Sequence, residues 1–336
     1  MRKVFRVAGL DWSAALGVVL VLLAVPINAS LGQAQSPPQL LGFLSSSTRE
    51  GTADRIDIFK KHLRVLGYHE GDVVIDYRWT NGRNEQLPVY ANELVKRGVK
   101  VIVTHGNLAT EAASRATTKI PIVCFTCGDL RLVNGVASLA RPGGNITGVS
   151  SVHPDTAAKR LQLLRDLTPG LSRVDVLYNI GNPVSESELR VSQAAARLMN
   201  IQVYPLGVRD PGELRTVLSS RTKQVADALL VISDAMIQGC IPDIVALAVA
   251  SRMPVITPWG SEFVRAGGLV GYGPDTSALI PQAASQVDKI LRGAYPGDIP
   301  IEQPTKFELY VNTKTAASIG LAVSPSILVQ ATEVVD

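Results

Sequence analysis

Three consecutive segments decide the fold: VKVIVT at residues 99–104, LATEAASRA at 108–116 and IPIVCFT at 120–126. The first and third are short, continuous apolar runs, and the segment between them has the length and composition of a helix. Continuous apolar strands separated by helices are typical of a parallel sheet that is covered on both faces. We therefore predict an α/β fold.

The same alternation continues toward the N-terminus. An apolar run at 40–44 precedes a helix whose apolar stripe is Ile56, Phe59, Leu63 and Leu66, and Gly67 ends that helix. A strand at 73–79 and a helix through residues 87–95 follow. These segments predict one doubly wound, Rossmann-like lobe.

A second series begins after residues 128–151, a Gly-rich stretch without a helical period. No strand of the first series leads into G-x-G-x-x-G, so no dinucleotide site is predicted. A lone helix at 276–291 between irregular segments suggests that the chain crosses back to the first lobe and returns. The second series is predicted to contain strands at 174–178, 201–206, 228–233, 255–257 and 307–311 and helices at 161–167, 186–199, 213–219 and 244–250. The two lobes would then share a multi-crossover hinge.

Length and charge limit the class of protein. The chain has 336 residues, of which 46% are hydrophobic and 18% charged, and this length suggests two domains. Its formal net charge is +4, and the first eleven residues hold three basic residues and one acidic one, so +2 remains without them. No cluster of Lys and Arg provides a nucleic-acid footprint, so we expect no nucleic-acid partner.

The N-terminus has the pattern of a secretory signal peptide. Basic residues Arg2, Lys3 and Arg6 precede the apolar run 14–25, which is shorter than the roughly 20 residues that cross a bilayer. We expect a signal peptide over residues 1–34 with cleavage after Ala34; cleavage after Ala29 and an uncleaved anchor are the alternatives. No cysteine lies near the cleavage region, so the mature protein is expected in the periplasm without a lipid anchor.

The chain has three cysteines, Cys124, Cys127 and Cys240. Two residues three positions apart in a straight strand are about 10 Å apart, beyond the reach of a disulfide. We therefore expect Cys124 and Cys127 to be inert buried thiols. A bridge would require a sharp turn at Phe125 and Thr126, and a redox C-x-x-C pair is the alternative.

Sequence motifs indicate a family. The longest is ASLARPGGNITG at 137–148. The others are LGY at 66–68, DYRW at 76–79, EFV at 262–264, AGGL at 266–269, YGPD at 272–275 and EQPTKFEL at 302–309. In order and spacing these segments resemble the ABC-transporter substrate-binding family that includes the tryptophan- and tyrosine-uptake binding proteins. The resemblance covers nearly everything from Leu40 to the C-terminus.

The resemblance implies a type I periplasmic-binding-protein fold with three crossovers between the lobes. Lobe one would hold residues 40–147 and 274–297, and lobe two residues 148–273 and 299–336. It also implies ABC importer permease subunits as membrane partners, and we expect a monomer. The chain reads Gly128-Asp129-Leu130 where the family tends to have Gly-Asp-Pro. That loop faces the cleft, so a relative's ligand does not carry over directly.

Candidate ligand-binding residues lie at the carboxyl ends of the predicted strands, where open α/β sheets bind ligands. In lobe one they are Ser45, Ser46, Ser47, His105, Gly106, Asn107, Thr126 and Asp129, and in lobe two Asn179, Asn182, Ser233, Asp234, Trp259, Glu262 and Tyr272.

We expect a small carboxylate-bearing ligand, an amino acid or an aromatic or organic acid. Ser46, Asn107 and Thr126 would hold its carboxylate, Asp234 or Glu262 an ammonium group, and Trp259 or Tyr272 its body. Each polar residue also has a structural alternative as a helix cap or first-turn acid, and Trp259 one in the core.

The sequence lacks the motifs that are typical of catalytic sites. The four histidines lack the H-x-x-H or H-x-H spacing of a metal site, and no cofactor motif is present. The sequence also lacks a G-x-S-x-G elbow, a P-loop and a paired-carboxylate motif. With the signal pattern and the two similar lobes, we predict no enzyme activity, and the family resemblance implies an exported solute-binding protein of an ABC importer. An exported ligand sensor and an exported α/β enzyme are the alternatives.

Overall fold

The computed structural model describes residues 37–151, 155–220 and 226–336, so the predicted signal peptide lies outside the described residues. Within this part of the chain the first sheet has five parallel strands in the order β2-β1-β3-β4-β5. Its strands are β1 (Gln39–Ser45), β2 (Val73–Trp79), β3 (Val101–His105), β4 (Ile122–Cys127) and β5 (Ile146–Ser150), and its connecting helices are α1 (Ala53–Val65), α2 (Leu87–Lys96) and α3 (Asn107–Ala116).

The second lobe begins with α4 (Asp155–Leu167), β6 (Arg173–Asn179), α5 (Pro183–Leu198), β7 (Gln202–Val208), α6 (Pro211–Ser219), β8 (Ala228–Val231), α7 (Ala235–Gln238), α8 (Ile241–Ala250), β9 (Val255–Thr257), α9 (Gly260–Arg265) and β10 (Val270–Pro274). The chain then forms α10 (Thr276–Leu291), β11 (Phe307–Asn312), α11 (Thr313–Ser318), α12 (Pro325–Gln330) and β12 (Glu333–Val335). Among the described residues the second sheet has the order β12-β11-β10-β9-β8-β6-β7. Only its β10–β11 pairing is antiparallel.

Alternating side chains on β3 show how the first sheet is covered. Val101 and Val103 pack with residues of α1 and α10 on one face, and Ile102 packs with residues of α2 and α3 on the other. The second sheet likewise has an apolar cluster on each face. The predicted class, two parallel-sheet α/β lobes, is confirmed.

The chain connects the lobes by crossing between them. It leaves the first sheet after Ser150, returns after Pro274 to form α10, and goes back to the second sheet through residues 299–306 to β11. The sequence analysis predicts that the chain enters lobe two at residue 148. In the structure, β5 continues to Ser150. Val149 also forms an isolated bridge with Glu302, which ties the first and last crossings together.

The Gly-rich stretch 128–151 contains β5, a strand that the sequence pattern missed. Gly148 has φ +139°, and a Cβ there would lie 2.2 Å from the carbonyl oxygen of Cys124. Glycine is therefore needed for β5 to pair closely with β4. The glycine that made the segment look irregular is what allows the strand to form.

The expectation of free thiols at Cys124 and Cys127 is wrong. The two cysteines form a disulfide, with their Cα atoms 6.0 Å apart. The pairing of β4 with β5 shifts register between these two residues, so the chain does not run straight there. The irregularity brings the cysteines within bridging distance, while Cys240 is free and buried.

Candidate functional site

A narrow cavity lies where the carboxyl ends of the two sheets face each other. The cavity has a volume of about 60 Å³, and both lobes contribute to its wall. Eight of the predicted site residues line it: His105, Gly106, Asn107, Thr126, Asn182, Ser233, Asp234 and Trp259. The other seven lie outside its lining: Ser45, Ser46, Ser47, Asp129, Asn179, Glu262 and Tyr272.

His105 ends β3 and is buried in the first-lobe wall. Its Nδ1 lies 3.0 Å from the Oγ of Ser45, so this serine supports the histidine from behind the cavity. Burial, and then the charge of Arg55, lower the pKa of His105 to about 3, although a hydrogen bond with Gln238 opposes the shift. The imidazole is therefore neutral at physiological pH and offers one donor and one acceptor.

Asn107 begins α3 and joins two loops of the first-lobe wall. Its Oδ1 accepts from the backbone N–H of Gly128 at 2.7 Å, and its Nδ2 donates to the carbonyl of Asp129 at 2.9 Å. The Asp129 side chain caps the following turn and pairs with Arg131. Asn107 and Asp129 thus fix the shape of the loop after β4.

Thr126 lies on β4 between the two bridged cysteines. The residue is part of the cavity lining and is 9% exposed. Within the described residues its Oγ1 has no hydrogen-bond partner. A buried hydroxyl without a partner is costly, so Thr126 is suited to a polar atom of a ligand.

The second-lobe wall holds a buried ion pair that the sequence analysis missed. Arg160 of α4 donates from Nη2 to Glu188 of α5, and both side chains are at most 5% exposed. The other oxygen of Glu188 accepts from the backbone N–H of Ser233 at 3.4 Å. Arg160 Nη1 donates to the carbonyl of Tyr272 at 3.4 Å, which is how Tyr272 contributes near the cavity.

These charged residues lie on helices, so a search of strand ends could not find them. Arg160 and Glu188 are also 28 residues apart in sequence, with no motif that links them. A basic residue inside the apolar stripe of α4, between the buried Ala157 and Leu161, was the available signal. Charged side chains are almost never fully buried unless they are paired.

Asp234 precedes α7 and is fully engaged by protein donors. Its Oδ1 accepts from the N–H groups of Met236 and Ile237, and its Oδ2 accepts from the side chains of Asn179 and Asn182. Burial raises the pKa of Asp234, and these hydrogen bonds oppose the shift. The residue acts as a helix cap that also faces the cavity.

An ion pair connects the two lobes beside the cavity. Arg55 of α1 donates to Glu262 of α9 through both terminal nitrogens, at 2.6 and 3.3 Å. Gln238 of α7 also donates to Glu262, at 2.8 Å. The lobes are therefore in contact across the cleft, and Glu262 lies in this bridge.

The two aromatic candidates differ in position. Trp259 lines the cavity but is 8% exposed and packs in the apolar cluster under α8 and α9. Tyr272 stacks on Phe307, with ring centroids 6.4 Å apart. Trp259 is therefore mostly buried in the core beside the cavity, and Tyr272 lies outside the cavity lining.

The described residues hold no group of three or more His, Cys, Asp or Glu side chains arranged to bind a metal ion. Over the same residues, no helix has the length and hydropathy needed to span a membrane.

Comparisons with known proteins agree with this architecture. A family model described as "ABC transporter substrate binding protein" matches residues 48–335. A tyrosine-binding protein of Clostridioides difficile is 27% identical over 264 residues, which are 78% of this chain and 75% of the relative.

Two solved structures have the same fold, and their sequence identities to this chain are below 25%, so they show a shared fold and no more. An ABC domain from Streptococcus pneumonia in complex with L-Trp has a TM-score of 0.81 and 24% identity, covering 89% of this chain and 100% of its own. A conserved domain protein from Vibrio cholerae has a TM-score of 0.82 and 21% identity, with the same coverage.

Proposed function

This chain belongs to the ABC transporter substrate binding protein family, and we propose that it captures a small solute between its lobes and presents it to the permease of an ABC importer. The observation that carries this proposal is the cavity itself: both lobes line it, and the Arg55–Glu262 pair holds the lobes together beside it. Such a site encloses its ligand by closure of two domains, as binding proteins do.

The proposed ligand is a small carboxylate-bearing molecule, an amino acid or an aromatic acid. The tyrosine-binding relative supports an amino acid as the ligand class. At 27% sequence identity, the relative does not specify which amino acid this chain binds. Of the three residues proposed to hold the carboxylate, Asn107 and Thr126 line the cavity and Ser46 does not. The wall combines polar groups that can form hydrogen bonds with a charged solute and the less polar residues Ala235, Pro258 and Pro274.

We also propose that the protein is exported to the periplasm, is processed after Ala34 and acts there as a monomer without a lipid anchor. The Cys124–Cys127 disulfide supports an oxidising compartment. The lobes are proposed as residues 40–147 with 274–297 and residues 148–273 with 299–336. The packing of α10 on the first sheet supports this division, whereas β5 carries the first sheet on to Ser150 and β10 keeps Pro274 in the second. N-terminal sequencing of protein from the native host should begin near Gln35; an intact Met1 on membrane-bound material would contradict export with cleavage.

Calorimetry tests the capture function directly. Purified protein is titrated with the twenty amino acids and a set of aromatic acids, and one saturable site with a one-to-one stoichiometry is expected. The ligand is then recovered and identified by mass spectrometry, and it should be unchanged. Chemical conversion of the ligand would favour an enzyme, and tight binding confined to neutral sugars or nucleosides would refute the carboxylate class.

A further inference from the structure

We propose that Ser47 of lobe one and Gly239 of lobe two set how readily the lobes close, and that they tune solute affinity in this way without contacting the solute. The inference rests on the proposed function and concerns two residues that lie outside the cavity lining. Ser47 is one of the residues that the sequence analysis assigned to ligand binding, and the structure places it against the other lobe instead.

The two lobes touch closely at positions that hold glycine. A Cβ at Gly239 would lie 2.9 Å from the Oγ of Ser47 and 3.4 Å from the backbone nitrogen of Thr48. A Cβ at Gly82 of lobe one would lie 2.4 Å from the Cδ of Pro211 in lobe two. Non-bonded carbon atoms pack best about 3.5–4.0 Å apart, so neither position has room for a methyl group while the lobes are in contact.

Gly239 is the more informative of the two glycines. It follows α7 with φ −62° and ψ −13°, right-handed helical angles that an alanine also adopts. Gly82, in contrast, has φ +83°, a conformation for which glycine is needed in any case. A side chain at residue 239 would therefore act through its contact with lobe one rather than through backbone strain.

Backbone hydrogen bonds hold both sides of this contact in place. In lobe one, the N–H of Gly82 donates to the carbonyl of Ser46 at 2.7 Å, which ties the loop after β2 to the loop after β1. In lobe two, the N–H of Gly239 donates to the carbonyl of Ala235 at 3.3 Å, which holds residue 239 on the end of α7. Added bulk at residue 239 is therefore expected to move the lobes apart rather than to displace a loose loop.

The hydroxyl of Ser47 is enclosed by glycines of both lobes. A Cβ at Gly51, in its own lobe, would lie 2.8 Å from the Oγ that Gly239 approaches from the other lobe. Ser47 is 1% exposed, and its Oγ has no hydrogen-bond partner among the described residues. Separation of the lobes would uncover this hydroxyl to water, so closure buries it without a replacement partner. Closure thus carries an energetic cost at Ser47.

Substitutions at the two residues should change affinity in opposite directions. The apparent affinity falls in proportion to the fraction of molecules that can adopt the binding-competent state, here the closed one. Calorimetry is performed with the two compounds that bind the wild type most tightly in the panel of amino acids and aromatic acids. We expect G239A to weaken both by the same factor, about tenfold, and S47A to tighten both by about five- to tenfold. A residue that contacts the solute would change the two affinities by different factors.

A double variant separates this contact from general damage to the fold. Removal of the Ser47 hydroxyl provides space for the methyl group of G239A, so the two substitutions should be coupled. The S47A/G239A protein should bind both compounds within about threefold of the wild type. S219A, at an exposed serine of α6, is the matched control and should leave both affinities unchanged.

The outcomes distinguish this inference from the proposed function. Unchanged affinity in G239A, weaker binding by S47A, or a G239A loss that S47A does not relieve would overturn the inference and leave solute capture intact. If G239A does not fold, the direction of the S47A effect decides. A wild type that binds no compound of the panel would overturn the proposed function and, with it, the inference.

Discussion

The two walls of the cavity are built by different means. The first-lobe wall consists of strand ends, His105 and Thr126, whose loops are fixed by the Cys124–Cys127 disulfide and by Asn107. The second-lobe wall contains the ion pair of Arg160 and Glu188. The two residues lie on different helices, so no single segment of the chain fixes their positions. The first wall is thus determined by short stretches of chain and the second by tertiary pairing, so the two should respond differently to mutation.

The largest effect is expected in the second wall. Glu188→Ala leaves Arg160 buried without its counterion, and breaking a buried pair costs about 3–5 kcal/mol of unfolding free energy. Urea denaturation followed by circular dichroism measures the loss. Arg190→Ala, at an exposed position of the same helix, is the matched control and should change stability by less than about 0.5 kcal/mol.

A double variant tests whether the charges themselves stabilise the second wall. R160M with E188L removes both charges and should recover most of the stability that Glu188→Ala loses, because hydrophobic replacements of a buried pair are often neutral. A Glu188→Ala loss below about 1 kcal/mol would mean that the pair is not what organises the second wall.

A smaller effect is expected from the disulfide of the first wall. Its loop spans only three positions, so the chain-entropy model gives about 2 kcal/mol of stabilisation. C124A with C127A should therefore lower the unfolding free energy by about that amount in urea titrations. Wild type unfolded in dithiothreitol should show a comparable loss, and reductant should leave the double variant unchanged. Equal wild-type stability with and without reductant would show that the bridge does not constrain this wall.

The smallest effect is expected where the two walls meet. The Arg55–Glu262 pair is partly exposed, with side chains 10% and 32% accessible, so it contributes at most about 1 kcal/mol. Glu262→Gln should weaken ligand binding up to about fivefold in calorimetry, and added salt should reduce the difference between variant and wild type.

Glu333→Gln provides the control for this measurement, because Glu333 pairs with Arg265 inside the second lobe. This variant should leave affinity unchanged. If both substitutions weakened binding equally, the effect would be one of overall charge and the bridge between lobes would have no special part in closure.

The sequence predicts the first wall better than the second for a physical reason. The apolar runs of β3 and β4 place His105 and Thr126 at strand ends, and parallel strands bring such ends to one edge of a sheet. Arg160 and Glu188 come together only through packing of α4 on α5, which residue spacing does not encode. The strand β5 was missed because Gly148 breaks its apolar pattern, and the disulfide because a register shift cannot be read from periodicity.

Helix α10 has a consequence for the biogenesis of the protein. Its apolar residues Leu279, Ile280, Ala283 and Val287 complete the core on the first sheet, although β10 before it and β11 after it lie in the second. During synthesis, the first lobe therefore cannot close its core until residue 291 has emerged, long after its own strands. The proposed export would benefit from this delay, because contacts between distant segments form slowly and the chain would remain unfolded for longer. A fragment ending at Ser150 would expose that face and is expected to aggregate.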